Sequence, residues 1–182
     1  MPAEITHGYC LHVLKPDAHP VHKLYHDTEY GFPQREDDVL FERLVLEINQ
    51  AGLSWETILK KREGFRNAYD NFSVDKVANY GDSDRERLLN DPGIIRNRLK
   101  VDAAIHNAKV IQQLSEEHGS FANWLDAQGN LTHQEWTKLL KKTFKFMGGL
   151  IAEEFLMSLG YLEGAHDPNC PIFAQLKVLN PT

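Results

Sequence analysis

The sequence predicts an all-α fold, on three observations. Apolar residues recur at helical rather than alternating spacing, capping residues stand ahead of several of the apolar runs, and the breaks between runs are short and polar. At 182 residues, with 42% hydrophobic and 25% charged content, the chain has the size and composition of one globular domain over 1–182. No apolar run approaches a membrane span, and Met1–Gly8 has neither the basic start nor the apolar stretch of a secretory signal. The expected compartment is the cytoplasm.

The elements follow in order. From Asp37 to Ala51, Leu40, Leu44, Ile48 and Ala51 form an apolar stripe that stops at Gly52. Ser54 can cap a second helix through Trp55, Ile58 and Leu59, and Ser73 a short one through Val74 and Val77. Ser83 with Glu86 reads as a capping box opening a helix to about Leu89. Asp91-Pro92-Gly93 breaks the chain, and a long helix is expected from about Asn97 to Glu117. After a short loop between Gly119 and Thr132, Thr132 with Glu135 forms another capping box, for a helix towards Lys142. Gly148-Gly149 leads into a last helix ending near Gly160, and the tail from Tyr161 reads as irregular.

The net charge of −6 argues against a nucleic-acid partner until its distribution is read. The segment from Lys60 to Lys145 carries about +3 and the two ends together −9, so a phosphate-facing surface can exist in the middle of the chain. A solvated mixed face would look the same.

Three constellations bear on chemistry. Cys10 and Cys170 are the only cysteines, and His166 precedes Cys170 at a His-x3-Cys spacing. Two thiolates and two imidazoles would close a tetrahedral zinc shell. A disulfide or two unrelated buried cysteines fit the spacing as well, and His12, His19, His22 and His26 compete as the fourth ligand. Glu47 falls on the Leu40–Leu44–Ala51 stripe, where a carboxylate is costly unless paired or used, although a place at the edge of the stripe would be harmless. Tyr25, Tyr30 and Trp55 flank that helix in sequence and could stack a flat base or simply fill a core. Finally, Leu88–Lys100 joins two helices through Pro92-Gly93. That turn would expose backbone amides, with Arg96, Arg98 and Lys100 beside them, as in a helix-hairpin-helix unit over about 84–117; an αα-corner with a basic edge is the alternative.

Five segments together resemble the 3-methyladenine DNA glycosylase I family: Tyr25–Gly31, Glu47–Trp55, Gly93–Lys100, Lys141–Gly148 and His166-x3-Cys170. They fall in the family's order and span nearly the whole chain. The resemblance implies an all-helical helix-hairpin-helix glycosylase with a structural Zn2+ held by Cys10, His26, His166 and Cys170. It implies that Glu47 is the catalytic residue, bonding the edge of a flipped 3-methyladenine. Tyr25, Tyr30, Trp55 and His12 would line the base pocket, and Gly93, Ile95, Arg96, Arg98, Lys100 and Lys145 would face DNA. The implied activity is monofunctional excision of the alkylated base, with double-stranded DNA as partner, no membrane, and a monomeric enzyme. Departures mark a divergent member: His12 stands where the family often has Trp, and Tyr30 where many members have Trp. The Cys10–His26 interval is long, an Arg-Gly is missing before Phe144-Lys145-Phe146, and Glu153-Glu154 replaces neutral residues. A shifted base specificity, through His12 and Glu153, and a non-catalytic DNA- or nucleobase-binding relative are the rival readings.

Overall fold

The computed structural model describes residues 4–6 and 8–179. Every element among them is helical, and the chain divides into two compact units, one of residues up to Pro33 and from Leu156 onward, the other Gln34–Phe155.

In the first unit, α1 is Gly8–Val13 and α2 is Pro20–Thr28. The long interval between Cys10 and His26 is therefore mostly helical. Pro20 opens α2 at a position that needs no amide, and the His19 ring nitrogen accepts from the Val21 amide. The tail also departs from expectation, because Pro171 starts a further helix, α12, over Pro171–Leu179. Its Ile172 joins Cys10 and Cys170 in a small core against Ile5, Phe32, Phe173 and Leu176. Gly31 holds a positive φ of 82°, where a Cβ would meet Leu176, Ala165 and His166 at 3.0–3.3 Å, so only glycine fits.

The second unit is built on α3, Asp37–Gln50, whose residues from Leu40 to Asn49 are all buried. Around it follow α4 (Trp55–Lys60), α5 (Arg62–Ala68), a 3-10 turn (Asp70–Phe72) and α6 (Val74–Ala78). Next come α7 (Asp82–Asn90), α8 (Arg98–His118), α9 (Phe121–Ala127), α10 (His133–Thr143) and α11 (Gly149–Ser158), whose last turn belongs to the first unit. Ser54, Asn97 and Thr132 cap their helices as their positions suggest. Ser73 does not; the Asp38 carboxylate of α3 accepts from the first amide of α6, that of Val74. Nor does Ser83 start α7. The helix begins at Asp82, and the Asp84 carboxylate reaches back to the Gly81 amide. The segment expected to be a loop after Gly119 contains α9, capped by Ser120, whose Phe121 packs edge-on to Phe144. Buried Glu42 joins α3 to α5 through Arg62 (2.5 Å) and Arg66 (3.0 Å).

Candidate functional site

Within the first unit, α1, α2 and the loop before α12 bring Cys10, His26, His166 and Cys170 together, all buried, with one ligand atom of each inside a 4.8 Å span. His26 Nε2 lies 3.2 Å from Cys10 Sγ, and His166 Nδ1 lies 3.6 Å from Cys10 Sγ and 3.8 Å from Cys170 Sγ. The outer ring nitrogens are committed. His26 Nδ1 donates to Asp27 Oδ1 and His166 Nε2 to the Tyr30 carbonyl, each at 2.7 Å, which leaves the inner nitrogens as lone-pair donors. The Asp167 amide donates to Cys10 Sγ at 3.3 Å. Burial, with Cys170 adding to it and the Asp167 amide opposing, pushes the Cys10 thiol up to about 11. The cluster has the donor set of a metal site.

The competing histidines are occupied elsewhere. His19 caps α2; His22 meets the Tyr9 hydroxyl at 3.0 Å; and His12 stacks near the Tyr9 ring and stands edge-on to His22. Tyr25 and Tyr30 are buried in the same ring cluster, 5.8 Å apart. These rings belong to the first unit, whereas Glu47 and the half-buried Trp55 belong to the second.

Glu47 is 4% exposed, and its carboxylate has no hydrogen-bond partner among the described residues. It lines a cavity of about 260 Å³ with Gln50 of α3, Ala51 just past its end, and Leu150, Ile151 and Glu154 of α11. Spacings of three and four residues put each set on one helix face. Burial, then the Glu154 charge, raise the Glu47 pKa to about 8 against the opposing pull of Arg43. Glu153, the residue expected to reshape the pocket, turns away and meets His133 at 3.3 Å. Its neighbour Glu154 is the one in the cavity. The sequence flagged the acidic pair, and counting helically from Gly149 would have separated the two.

The hairpin stands between α7 and α8, and it corrects two expectations. The Gly93 amide is not free, because Asp91 Oδ1 accepts it at 2.7 Å. Gly93 serves packing instead: a Cβ on Gly64 would lie 2.4 Å from the Gly93 oxygen, so α5 and the turn touch backbone to backbone. Lys100 is no phosphate ligand. It is buried, its ammonium donates to the Asn49 and Ala51 carbonyls at 3.0 and 2.8 Å, and it closes the C-terminal end of α3. Ile95 is half-buried, and Arg96 and Arg98 are exposed. Arg98 and Lys145 both line a groove of about 510 Å³, with Arg85, Lys109, His106, Asp82, Asp102 and Ile105. Burial, followed by Lys145 and Lys109, holds His106 below its ordinary range. Asn107 fixes the Lys145 backbone through two bonds, Lys145 N to Oδ1 (2.9 Å) and Nδ2 to Lys145 O (3.0 Å).

Residues 15–138 match the methyladenine glycosylase family. The chain belongs to that family. DNA-3-methyladenine glycosylase 1 of Escherichia coli K12 is 37% identical over 78% of this chain and 86% of its own length. The Haemophilus influenzae DNA-3-methyladenine glycosylase is 32% identical over 81% and 89%. A solved 3-methyladenine DNA glycosylase I from Staphylococcus aureus, studied for its recognition of 3-methyladenine, superposes with a TM-score of 0.77 at 30% identity, covering 91% of this chain and 97% of that one. The family match includes Glu47, Trp55, the hairpin and His26, and stops short of Cys10, Lys145, His166 and Cys170. No helix among the described residues is long and apolar enough to cross a membrane.

Proposed function

We propose that this chain is a monofunctional DNA glycosylase of base-excision repair, which hydrolyses the glycosidic bond of 3-methyladenine in alkylated double-stranded DNA. The observation that carries the reading is Glu47, a buried carboxylate with no hydrogen-bond partner among the described residues, lining a cavity in a chain of this family. A 3-methylated adenine in DNA is cationic. As its C1′–N9 bond breaks, the bonding pair goes to the base, which leaves neutral, while the sugar becomes cationic; water then adds at C1′ and loses a proton. Glu47 accepts a hydrogen bond from the N6 amino group of the extruded base and favours its positive charge electrostatically. Trp55 offers a ring for stacking, and Tyr25, Tyr30 and His12 keep the base-facing roles that the family resemblance gives them. On the DNA side, Arg96, Arg98 and Lys145 contact phosphates, with Gly93 and Ile95 shaping the turn; Lys100 drops out of that set. No Schiff-base lysine is called on, so the strand is left uncut. The enzyme acts as a monomer in the cytoplasm.

The metal is zinc in this reading. Bonds of about 2.3 Å to sulfur and about 2.0 Å to nitrogen set S···N edges of about 3.5 Å in a tetrahedron, close to the 3.2–3.8 Å separations here. A zinc ion held by Cys10, His26, His166 and Cys170 has no open position for substrate and supplies cross-linking rather than chemistry.

The test is base release from methylated duplex DNA by the wild-type protein and Glu47→Gln. Release of 3-methyladenine but not 7-methylguanine, lost in the variant, is expected. Absence of any released methylated base from the wild type would refute the assignment.

A further inference from the structure

Two groups expected to meet phosphate at the hairpin are engaged elsewhere. Asp91 takes the Gly93 amide, and Lys100 is held on the Asn49 and Ala51 carbonyls. Cations without such engagements continue along α8 instead. Arg98, Asp102, His106 and Lys109 recur at helical spacing on one face of that helix. The row is about 16 Å long, the rise of about five nucleotides along one DNA strand. Lys145 lines the same groove, its backbone tied to α8 by Asn107.

Arg98, Lys109 and Lys145 are exposed and have no ion-pair partner among the described residues. The two carboxylates of the groove, Asp82 and Asp102, are both engaged by Arg85, at 2.9 and 2.8 Å. Three cations facing one groove repel each other, and a polyanion laid among them removes that repulsion. Burial, then Lys145 and Lys109, hold His106 below its ordinary range, so both lysines act on one ring of the groove.

We propose that this groove seats the DNA backbone, with Lys109 a phosphate-binding residue that extends the contacts of Arg98 and Lys145 along one strand beside the extruded base. The inference rests on the glycosylase reading above and carries its DNA interface from the hairpin turn down the length of α8. Groove and base cavity are joined at two places. Lys100, two residues from Arg98, holds the carbonyl of Ala51, which lines the Glu47 cavity. From Lys145 in the groove to Leu150 at the cavity, the chain can span at most about 18 Å. That limit places the contacted phosphates within about five nucleotides of the extruded one.

The experiment is an anisotropy titration of a fluorescent duplex carrying one reduced abasic site, which the enzyme cannot process, over a series of salt concentrations. Lys109→Ala is expected to lower the slope of log K against log salt by about one and to leave the melting temperature unchanged. Lys109→Arg keeps the wild-type slope. Lys138→Ala, at an exposed lysine of α10 outside the groove, behaves as wild type. Methylphosphonate linkages, each deleting one phosphate charge, then locate the contact. The linkage that weakens the wild type but not Lys109→Ala is expected within about five nucleotides of the abasic site. A wild-type slope in Lys109→Ala overturns the proposal. So does an equal loss in Lys138→Ala, which would be an effect of net charge alone. None of these outcomes depends on catalysis. A protein that holds the duplex through Lys109 but releases no methylated base would count only against the reaction assigned above.

Discussion

In the first unit, four ligand atoms are buried together and each histidine nitrogen facing away from them is bonded, to Asp27 or to the Tyr30 carbonyl. In the second, Glu47 is buried just as deeply, faces a cavity, and has no hydrogen-bond partner among the described residues. Both arrangements put polar atoms where water would otherwise solvate them. The first has the donors and outer hydrogen bonds with which the zinc ion proposed above would resolve that cost, which is the pattern of a structural centre. The second leaves it unresolved, which is the pattern of a group kept for a ligand.

The largest effect expected from breaking this contrast is on the metal side. Cys170→Ser, or chelation of the wild type, should lower the melting temperature by at least about 10 °C, followed by circular dichroism, because metal binding is folding free energy in such a site. An unchanged melt would make the cluster incidental. On the cavity side, Glu47→Gln should cut 3-methyladenine release by about a hundredfold or more, as removal of a preorganised electrostatic contact does. The wild-type rate should rise with pH until Glu47, with its pKa near 8, is ionised. A flat profile from pH 6 to 9 would contradict that role.

Asp27→Asn sharpens the comparison from the side of the satisfied centre. It removes the carboxylate behind His26 while keeping all four ligands, and metal affinity measured by chelator competition should fall about 10–100-fold. The smallest effects separate two lysine and arginine roles that look alike in sequence. Lys100→Met should cost about 1–3 kcal/mol of stability through the lost bonds to the Asn49 and Ala51 carbonyls, read by urea unfolding. Arg98→Ala, by contrast, should leave stability within about 0.5 kcal/mol and reduce the salt slope of DNA binding by about one.

That last pair also marks where the sequence stops being legible. Arg98 and Lys100 stand two residues apart at the start of α8, and charge alone could not say that one faces solvent and the other the end of α3. Helices with their own local signals were readable: the stripe of α3, the Asn97 cap of α8, the capping box of α10. Those missed are short and rest on partners distant in sequence. α12 packs its Ile172 on Cys10, and α9 offers its Phe121 amide to Asp37. Ser120 was a cap in plain view ahead of α9. The Glu47 position was legible because a carboxylate interrupted an apolar stripe. Its neighbour in the cavity was not, since Glu153 and Glu154 differ only in which way α11 turns them.

The most direct test of the contrast is the thermal unfolding of Glu47→Gln beside the wild type at pH 8.5. A carboxyl whose pKa is raised by folding binds more protons folded than unfolded, so its penalty grows from about pH 4.5 upward and is complete above about pH 8. Removing it should therefore raise the melting temperature at pH 8.5 and do so less at pH 5, while excision is lost. A variant that melts lower than the wild type at pH 8.5 would mean that Glu47 holds the fold together, contradicting the view that it is kept for the base.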